Sequence, residues 1–419
     1  MFVQIHMLQS LPPGNLNRDE TGQPKKCVFG CVTRGRISSQ CLKRNIRKRF
    51  KDVFGDDKLS VRTTYLPRMV ADELKKIVSD ISDDELNKIK AALASKFKAE
   101  KGKGESEEAV ESEEDQEQLQ NTVAPIDTTN QTGQLVFFPP PFAKKIADLL
   151  LKFKKENLEA YSFFIGEGKK KRSDKEKKSL KKTIDECFVK PAEVESKSLT
   201  VDIGLFGRMT TSDLVVNVEA SCQVAHAIST HELLIENDWF TAMDDLKEGP
   251  GAAYLGSGTN ETFFNSAVYY KYLNLDVDAL KKHLSWDDSE AASAAAALVD
   301  AAALGTPTGK QNSFASHGLP ELILIEASEK KRPLSYANAF LRAVEGGNGQ
   351  NLMTESANAL KSYIDNVAVA YAPSDLKRVL FAVGPASVDI ANAERVERFD
   401  DLPEAVRKVV ASNVAGASK

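Results

Sequence analysis

The sequence predicts an α+β protein in which helices cover one side of a β-sheet. At the N-terminus apolar and polar residues alternate, so Val3, Ile5 and Met7 would face one side of a first strand. A second strand is predicted over 262–275, which is rich in Phe, Tyr and Val. Helical periodicity separates the strand signals, and no repeated unit of a dinucleotide-binding sheet is present. An α+β sheet accounts for all of these observations.

The same two periodicities define the remaining elements. Ser38 and Ser39 are natural N-caps of a helix whose apolar stripe consists of Leu42, Ile46 and Phe50. The other predicted elements, in chain order, are helices over 65–97 and 143–158, a strand over 199–205, helices over 213–228 and 291–303, and strands over 322–325 and 379–383.

Positive charge is concentrated near the N-terminus of a chain that is slightly acidic overall. Residues 15–50 contain ten Lys and Arg against two acidic residues, whereas the pI of the sequence is about 5.9. Lys43, Arg44, Arg47 and Lys48 lie across the predicted helix from its apolar stripe. Basic faces are commonly just solvated. Clustering beside a helix N-terminus, which itself attracts anions, instead favours binding to a nucleic-acid backbone.

Composition excludes several classes of protein. The 419 residues suffice for two or three domains. No uncharged apolar run reaches the roughly 18 residues of a transmembrane helix, so none is expected. The first residues lack the charged and apolar regions of a secretory signal. Five scattered Cys argue against a disulfide framework and fit a reducing cytoplasm.

Two charged segments and one glycine-rich segment interrupt this pattern. Residues 100–120 are rich in Asp and Glu and are expected to form a disordered surface loop. Residues 169–182 carry nine cations and two acids, which either balance that loop or bind DNA non-specifically. The glycine-rich excursion over 235–259 starts with Trp239 and Phe240, which are expected to meet a partner more than to pack internally. The tentative DNA contacts are Lys144, Lys145, Lys169, Lys170 and Lys171.

The spacing of His and Cys does not favour a metal site. His226 and His231 are five positions apart, whereas two ligands on one helix face need a spacing of three or four. Cys27, Cys31 and Cys41 lie close in sequence but lack a second ligand pair. We therefore expect neither a metal nor another cofactor.

Catalytic patterns are equally weak. Residues 305–310, GTPTGK, imitate a phosphate-binding loop, but one residue is missing between the glycines and Gln311 replaces the magnesium-binding hydroxyl. Asp244 and Asp245 could hold magnesium, but adjacent carboxylates on one strand point to opposite faces. No Ser/His/Asp or Cys/His arrangement can be placed. The sequence predicts a protein that is not an enzyme.

Five segments in order resemble one known family. They read LNRDETGQPKK, RGRISSQCLKR, VDIGLFGRM, QVAHAISTHELLIENDWFTAMDDL and GKQNSF. This order is similar to the Cascade backbone subunit of type I-E CRISPR systems, the CasC family. The resemblance covers almost the whole chain except the segments near 100–120 and 169–182.

The resemblance implies a right-hand-shaped protein. Its ferredoxin-like, RRM-like palm would span 1–60, 196–232 and 264–419, its helical fingers domain 61–195 and its thumb β-hairpin 233–263. Copies would stack head to tail along a guide RNA, and each thumb would turn bases out of the stack at intervals. The implied partners are guide RNA, target DNA, other copies of the chain and the large, small, guide-processing and guide-capping Cascade subunits. A prokaryotic cytoplasm, and no membrane, would be the setting.

The resemblance also implies the RNA-binding residues. Polar and basic side chains would hold phosphates without reading sequence, while Met209 and two thumb aromatics would wedge between bases. The implied set is Arg18, Lys25, Arg34, Arg36, Ser38, Gln40, Lys43, Arg44, Arg47, Arg208, Met209, Trp239, Phe240, Lys310 and Gln311.

Two alternatives of other classes stay open. Related backbone subunits of other CRISPR types cut target RNA with an acidic residue, a role that Asp19, Asp244 or Asp245 could take. The third possibility is a free-standing DNA-binding structural protein, which would bind duplex DNA without guide RNA.

Overall fold

The computed structural model describes residues 1–55, 58–97, 131–167, 172–240, 242–243, 245–246, 253–254, 261–346 and 349–414. Its strands are β1 (Phe2–Gly14), β2 (Lys26–Phe29), β3 (Val32–Ile37), β4 (Val61–Thr63), β5 (Val136–Phe138), β6 (Cys222–Val224), β7 (Ala227–Ser229), β8 (Glu236–Trp239), β9 (Ala242–Met243), β10 (Ala253–Tyr254), β11 (Glu261–Asp276), β12 (Pro320–Ser328), β13 (Lys377–Ala382) and β14 (Ala393–Val396). Its helices are α1 (Ser39–Phe54), α2 (Leu66–Ile77), α3 (Asp83–Ser95), α4 (Phe142–Glu156), α5 (Leu158–Phe164), α6 (Asp174–Ile184), α7 (Lys190–Glu195), α8 (Val201–Phe206), α9 (Val277–Leu284), α10 (Asp288–Leu304), α11 (Gln311–Phe314), α12 (Leu352–Tyr371) and α13 (Leu402–Val414).

A mixed sheet forms the centre of the molecule. The described strands follow the order β14-β13-β12-β1-β11-β7-β3-β2, and β13 and β14 run parallel. The long strand β1 lies in the middle, where Ile5 is opposite Leu273 of β11 and Ile325 of β12. The α+β class is confirmed, as are the strands predicted at the N-terminus and over 262–275, 322–325 and 379–383.

Helices cover both faces of this sheet, so the expectation of a one-sided cover is wrong. Val3, Ile5 and Met7 pack into one core with α1, α10 and α13. The opposite face packs against α12 in a core that includes Tyr270. The alternation of apolar and polar residues in β1 does not mark a buried and an exposed face, because its polar residues are buried and form hydrogen bonds. His6 Nδ1, for example, lies 2.9 Å from the Tyr270 hydroxyl. A polar position therefore does not mark a solvent-facing side here.

A separate core, which we call the second core, joins α2–α7 with the small sheet of β4 and β5. Phe153 and Phe188 stack in it with ring centroids 5.9 Å apart. The helical stretch predicted over 65–97 forms two helices, because Ser82 caps α3 by accepting a hydrogen bond from the Glu85 backbone N–H. Most of this core lies in the predicted fingers region, but Leu214 and Val215 come from the span predicted as palm. The proposed boundaries of palm, fingers and thumb stay a prediction.

Two predicted elements are wrong. The strand predicted over 199–205 is helix α8, which ends at Gly207 with a φ of +79°. Its apolar alternation carries no strand signal, because Asp202 between the apolar residues is buried as well. The segment 213–228, which is predicted to be a helix, instead contains β6 and the start of β7, and both strands pair with β11. Pairing with a long strand outweighs local helix propensity there.

In the segment 233–263, which is predicted to form the thumb, a hairpin-like extension departs from the sheet. β8 pairs with the start of β11, so that Trp239 is opposite Glu261, and β9 pairs with β10. The acidic segment 100–120, Lys169, Lys170, Lys171 and Asp244 lie outside the described residues.

Candidate nucleic-acid interface

The N-terminal loop and strand β3 meet on one surface. Arg18 forms a backbone bridge with Pro24, and the Arg36 N–H donates to the Lys25 carbonyl over 2.8 Å. A cleft between these segments is lined by Asn17, Lys25 and Arg36. We call Asn17, Arg18, Lys25 and Arg36 the basic cleft. The structure thus brings together three of the residues that the sequence analysis assigns to phosphate contacts.

Two arginines of the basic cleft keep buried donors without an acceptor. Within the described residues, Arg18 Nη1 and Arg36 Nε form no hydrogen bond. Leaving a buried donor unpaired costs roughly 1–3 kcal/mol, and more for a charged group. Arg36 lines the cleft, so a phosphate oxygen that entered it would supply the acceptor that Arg36 Nε lacks.

Helix α1 begins at this cleft. Ser38 Oγ accepts a hydrogen bond from the Cys41 N–H over 3.3 Å, and no acidic residue lies in the first turn. Asn17, which the sequence analysis did not single out, holds the same end by accepting from the Ser38 N–H over 2.8 Å. Its position in a polar turn-forming run was the available signal. The predicted buried stripe of Leu42, Ile46 and Phe50 is confirmed, and Gln40, Lys43 and Arg44 stay partly exposed.

Arg34 does not belong to this surface, which corrects its expected phosphate contact. Its guanidinium is buried and donates to the carbonyl oxygens of Phe29, Ser229, Thr230 and Phe340 over 2.6–3.2 Å. Burial lowers the pKa of Arg34. The side chain joins β3 to the ends of β2 and β7 and to Phe340, and it cannot reach a phosphate in this structure.

Arg47 forms an ion pair with the buried carboxylate of Asp202. Its Nε donates to Asp202 Oδ2 over 2.8 Å, and its Nη2 lies 3.2 Å from the Ser60 carbonyl. Burial alone would raise the pKa of Asp202, but Arg47 and the hydrogen bonds from Ser60 hold it below its usual value. The guanidinium of Arg47 is therefore bound mainly to groups of the protein itself.

Arg208 is also removed from the set of expected phosphate contacts. Its side chain is buried, and its guanidinium donates to the carbonyl oxygens of Phe137, Ser196 and Val216. Burial lowers the pKa of Arg208 to about 10. Residue spacing in the sequence could not reveal that Arg208 is buried, because its acceptors are backbone atoms far apart in the sequence.

Three expected base contacts are large side chains that remain exposed. Met209 is 93% exposed, Trp239 is 61% exposed and Phe240 is 52% exposed. Met209 follows the buried Arg208 in a short loop, and Trp239 ends strand β8. Among the residues that the structure describes, all three side chains are exposed enough to contact a partner.

The loop 305–314 approaches the N-terminal loop. A Cβ on Gly309 would lie 2.7 Å from the Leu16 carbonyl oxygen, so only glycine allows this approach. Lys310 follows in a left-handed conformation, and Gln311 Nε2 donates to the Pro307 and Ser316 carbonyl oxygens. Gln311 begins a four-residue helix, which is not the long helix of a phosphate-binding loop.

The proposed DNA-binding lysines are only partly described. Lys144 is exposed on α4, whereas Lys145 forms an ion pair with Glu195 at 2.6 Å. Within the described part of the basic segment, Arg172 pairs with Glu159. Charge balance on this surface therefore accounts for part of its basic composition.

The acidic residues and histidines are the remaining candidates for a site among the residues that the structure describes. No three His, Cys, Asp or Glu side chains there group as a metal site, and no described helix is long and apolar enough to cross a membrane. Asp19 shapes a turn, accepting from the Thr21 and Gln23 N–H groups. His231 Nε2 accepts from the Val268 N–H over 3.2 Å.

Among the described residues, a ten-stranded sheet, a second helical core and a surface cleft lined by Lys25 and Arg36 define an α+β protein with a basic surface. The chain belongs to the family of CT1975-like proteins, whose sequence pattern matches residues 3–408.

Solved structures share this fold over nearly the full length. A chain of a "CRISPR RNA-guided surveillance complex, pre-nicking" is 27% identical, with a TM-score of 0.72 over 98% of this chain and 100% of that chain. A chain of a "CRISPR RNA-guided surveillance complex" has a TM-score of 0.55 over 99% of this chain and 100% of that one; at 22% identity it is similar in fold alone. Among curated proteins, none matches the chain.

Proposed function

We propose that this protein is a guide-RNA-binding backbone subunit of a Cascade-type CRISPR surveillance complex, of type I-E. The basic cleft is the observation that carries the proposal, because its buried arginine donors lack acceptors. Phosphate oxygens supply such acceptors without reading the base sequence. The family match and the 27% identical chain of a surveillance complex support the assignment.

Sequence-independent contacts suit a subunit that repeats along a guide. Lys25, Lys43 and the N-terminal end of α1 attract the RNA backbone, which leaves the base edges free to pair with target DNA. Met209, Trp239 and Phe240 contact the faces of bases, where stacking is tolerant of sequence.

The finer architecture belongs to the same proposal. The molecule consists of a ferredoxin-like palm, helical fingers and a thumb, and its copies bind head to tail. A head-to-tail contact is heterologous and therefore builds a helical filament. The large, small, guide-processing and guide-capping subunits complete the complex in a prokaryotic cytoplasm, and Lys144 of the fingers faces the target DNA.

The role that we propose is not enzymatic. Asp19 is used to form a turn, where burial is outweighed by its hydrogen bonds with Thr21 and Gln23, so that its pKa lies below its usual value. A ribonuclease would need an acidic residue beside the bound RNA and a magnesium site to use it.

Binding to unrelated RNAs tests the proposal. The purified protein is titrated with labelled single-stranded RNAs of different sequence and with duplex DNA of equal length, at several salt concentrations. We expect equal affinities for the RNAs and weaker binding to the duplex. Preference for duplex DNA would indicate a free-standing DNA-binding protein. Regular cleavage of RNA complementary to a bound guide, in the presence of magnesium, would indicate the ribonuclease.

A further inference from the structure

Met209 is an exposed apolar side chain on a loop that is firmly held. The Arg208 N–H donates to the Val218 carbonyl over 2.9 Å, and the Val218 N–H donates back over 2.8 Å. On the other side of Met209, the Thr210 N–H donates to Asn217 Oδ1 over 2.7 Å. The exposure of Met209 is therefore not the result of a loose loop. Its side chain is held out into solvent by the residues around it.

Arg208 connects this loop to two other parts of the chain. Its Nε donates to the Val216 carbonyl of the same loop over 2.9 Å. Its Nη1 reaches the Phe137 carbonyl of β5 over 3.2 Å, and its Nη2 reaches the Ser196 carbonyl after α7 over 2.8 Å. A planar guanidinium can bind three acceptors in a fixed fork, which an ammonium group cannot do. The Met209 loop is thus fixed to strand β5 and to the end of helix α7.

The same contacts continue to helix α1. The guanidinium carbon of Arg47 lies 4.9 Å from the centre of the Phe137 ring, and that of Arg62 lies 5.0 Å from it. Arg47 is held in turn by Asp202. A continuous set of contacts therefore connects the residue before Met209 with the helix that carries Lys43.

We propose that Arg208 is a positioning residue, which sets the place of Met209 relative to the phosphate-binding face of α1. The proposal rests on the proposed function, since Met209 acts there on guide RNA. Arg208 itself cannot neutralise a phosphate, because the residue is 3% exposed and each of its three guanidinium nitrogens already donates to a backbone carbonyl. Its contribution to RNA binding passes through the neighbouring side chain.

A double-mutant cycle tests this dependence. Met209→Ala alone should weaken RNA binding about tenfold, as expected for the loss of one large apolar contact with a base. Arg208→Lys keeps the charge but loses the three-way hydrogen bonding. In the Arg208→Lys protein, Met209→Ala should change RNA affinity less than about twofold, because Met209 is no longer in position. Additive losses would overturn the proposal.

Arg378→Lys is the matched control. Arg378 is also a buried arginine, but it binds Glu326 and the Ala391 carbonyl. In that background Met209→Ala should still cost the full tenfold, although thermal stability falls as it does for Arg208→Lys. Equal coupling in both backgrounds would show a general effect of destabilisation and would contradict the proposal.

Asn217→Ala replaces Arg208→Lys if the latter does not fold. It removes only the hydrogen bond to the Thr210 N–H, so the loop loosens while the fork of Arg208 remains. The Met209→Ala effect should then shrink by about half on a logarithmic scale, and an unchanged effect would contradict the proposal. If Met209→Ala alone leaves RNA affinity unchanged, the RNA contact of Met209 is wrong as well. If it weakens binding but the cycle is additive, only the positioning role of Arg208 fails.

Discussion

Two buried arginines of this protein bind backbone carbonyl oxygens instead of phosphates. Arg34 and Arg208 each donate to carbonyls from several segments of the chain. Each hydrogen bond of a charged donor contributes roughly 1.5–3 kcal/mol, so the two side chains act as structural connectors. The cations left for RNA are those of the basic cleft and the exposed side of α1.

Salt dependence measures how many of these cations contact phosphates. The double variant Lys25→Ala/Lys43→Ala should weaken binding to all RNA sequences alike. Each lost phosphate contact reduces the slope of log K against log salt by about 0.7 for a single strand, so the slope should fall by about 1.4. Affinity is measured by fluorescence anisotropy across a salt series.

Lys154→Ala/Lys361→Ala is the control for that experiment. Both lysines form ion pairs elsewhere, with Glu85 and Asp365. The control changes net charge by the same amount and should leave the salt slope unchanged. Equal slopes for both double variants would show that Lys25 and Lys43 face only solvent.

Glu326 gives the stability of the fold a specific dependence on pH. Burial alone would raise its pKa, but the neighbouring His6 and Arg378 lower it from 4.5 to about 2. Because the pKa in the folded state lies below the unfolded value, the carboxylate stabilises the fold above about pH 4.5. That contribution, roughly 3 kcal/mol, is lost as the pH falls from 4.5 to 2.

Glu326→Gln separates this effect from the other carboxyl groups. The variant should be less stable than the original at pH 7, because Arg378 loses its buried partner. The difference in the free energy of unfolding should narrow steadily between pH 4.5 and pH 2, as measured by urea unfolding. A difference that is independent of pH would contradict the lowered pKa.

Among the elements, the extension that carries β8 depends most on a partner. Trp239→Ala/Phe240→Ala should leave the melting temperature of the free protein nearly unchanged, because both rings are exposed. The variant should weaken binding to long RNA and abolish regular arrays, which electron microscopy detects. Unfolding or aggregation of the variant would show that the rings belong to the core.

The helices and strands also show how much of the fold can be predicted from the sequence. Helix α1 and strand β11 were predictable because a cap, an apolar stripe and a long β-rich run agree with their tertiary environment. Helix α8 and the segment 213–228 were not, because complete burial and pairing with β11 erase the local signal. The basic cleft followed from clustered charge, but the burial of Arg34 depends on carbonyls that no spacing reveals.

At the scale of the whole molecule, the proposed head-to-tail contact predicts how assembly depends on RNA length. Because a heterologous contact does not close on itself, the number of bound copies should rise in proportion to the length of the RNA. Mass photometry of the protein on RNAs of increasing length measures this number. A fixed number of copies on all RNAs would indicate a closed assembly and contradict the proposed contact.

Strand β1 lies at the centre of the sheet, yet it comes long before both of its neighbours, β11 and β12, in the sequence. Phe2 is opposite Asp276 of β11 and Ser328 of β12, so neither neighbour exists until most of the chain has been synthesised. The helices of the second core are close together in sequence and can fold during that interval. Until then β1 is an apolar strand with two open edges, a state that favours aggregation. Translation that stops before residue 320 therefore yields a folded helical part attached to an aggregation-prone remainder.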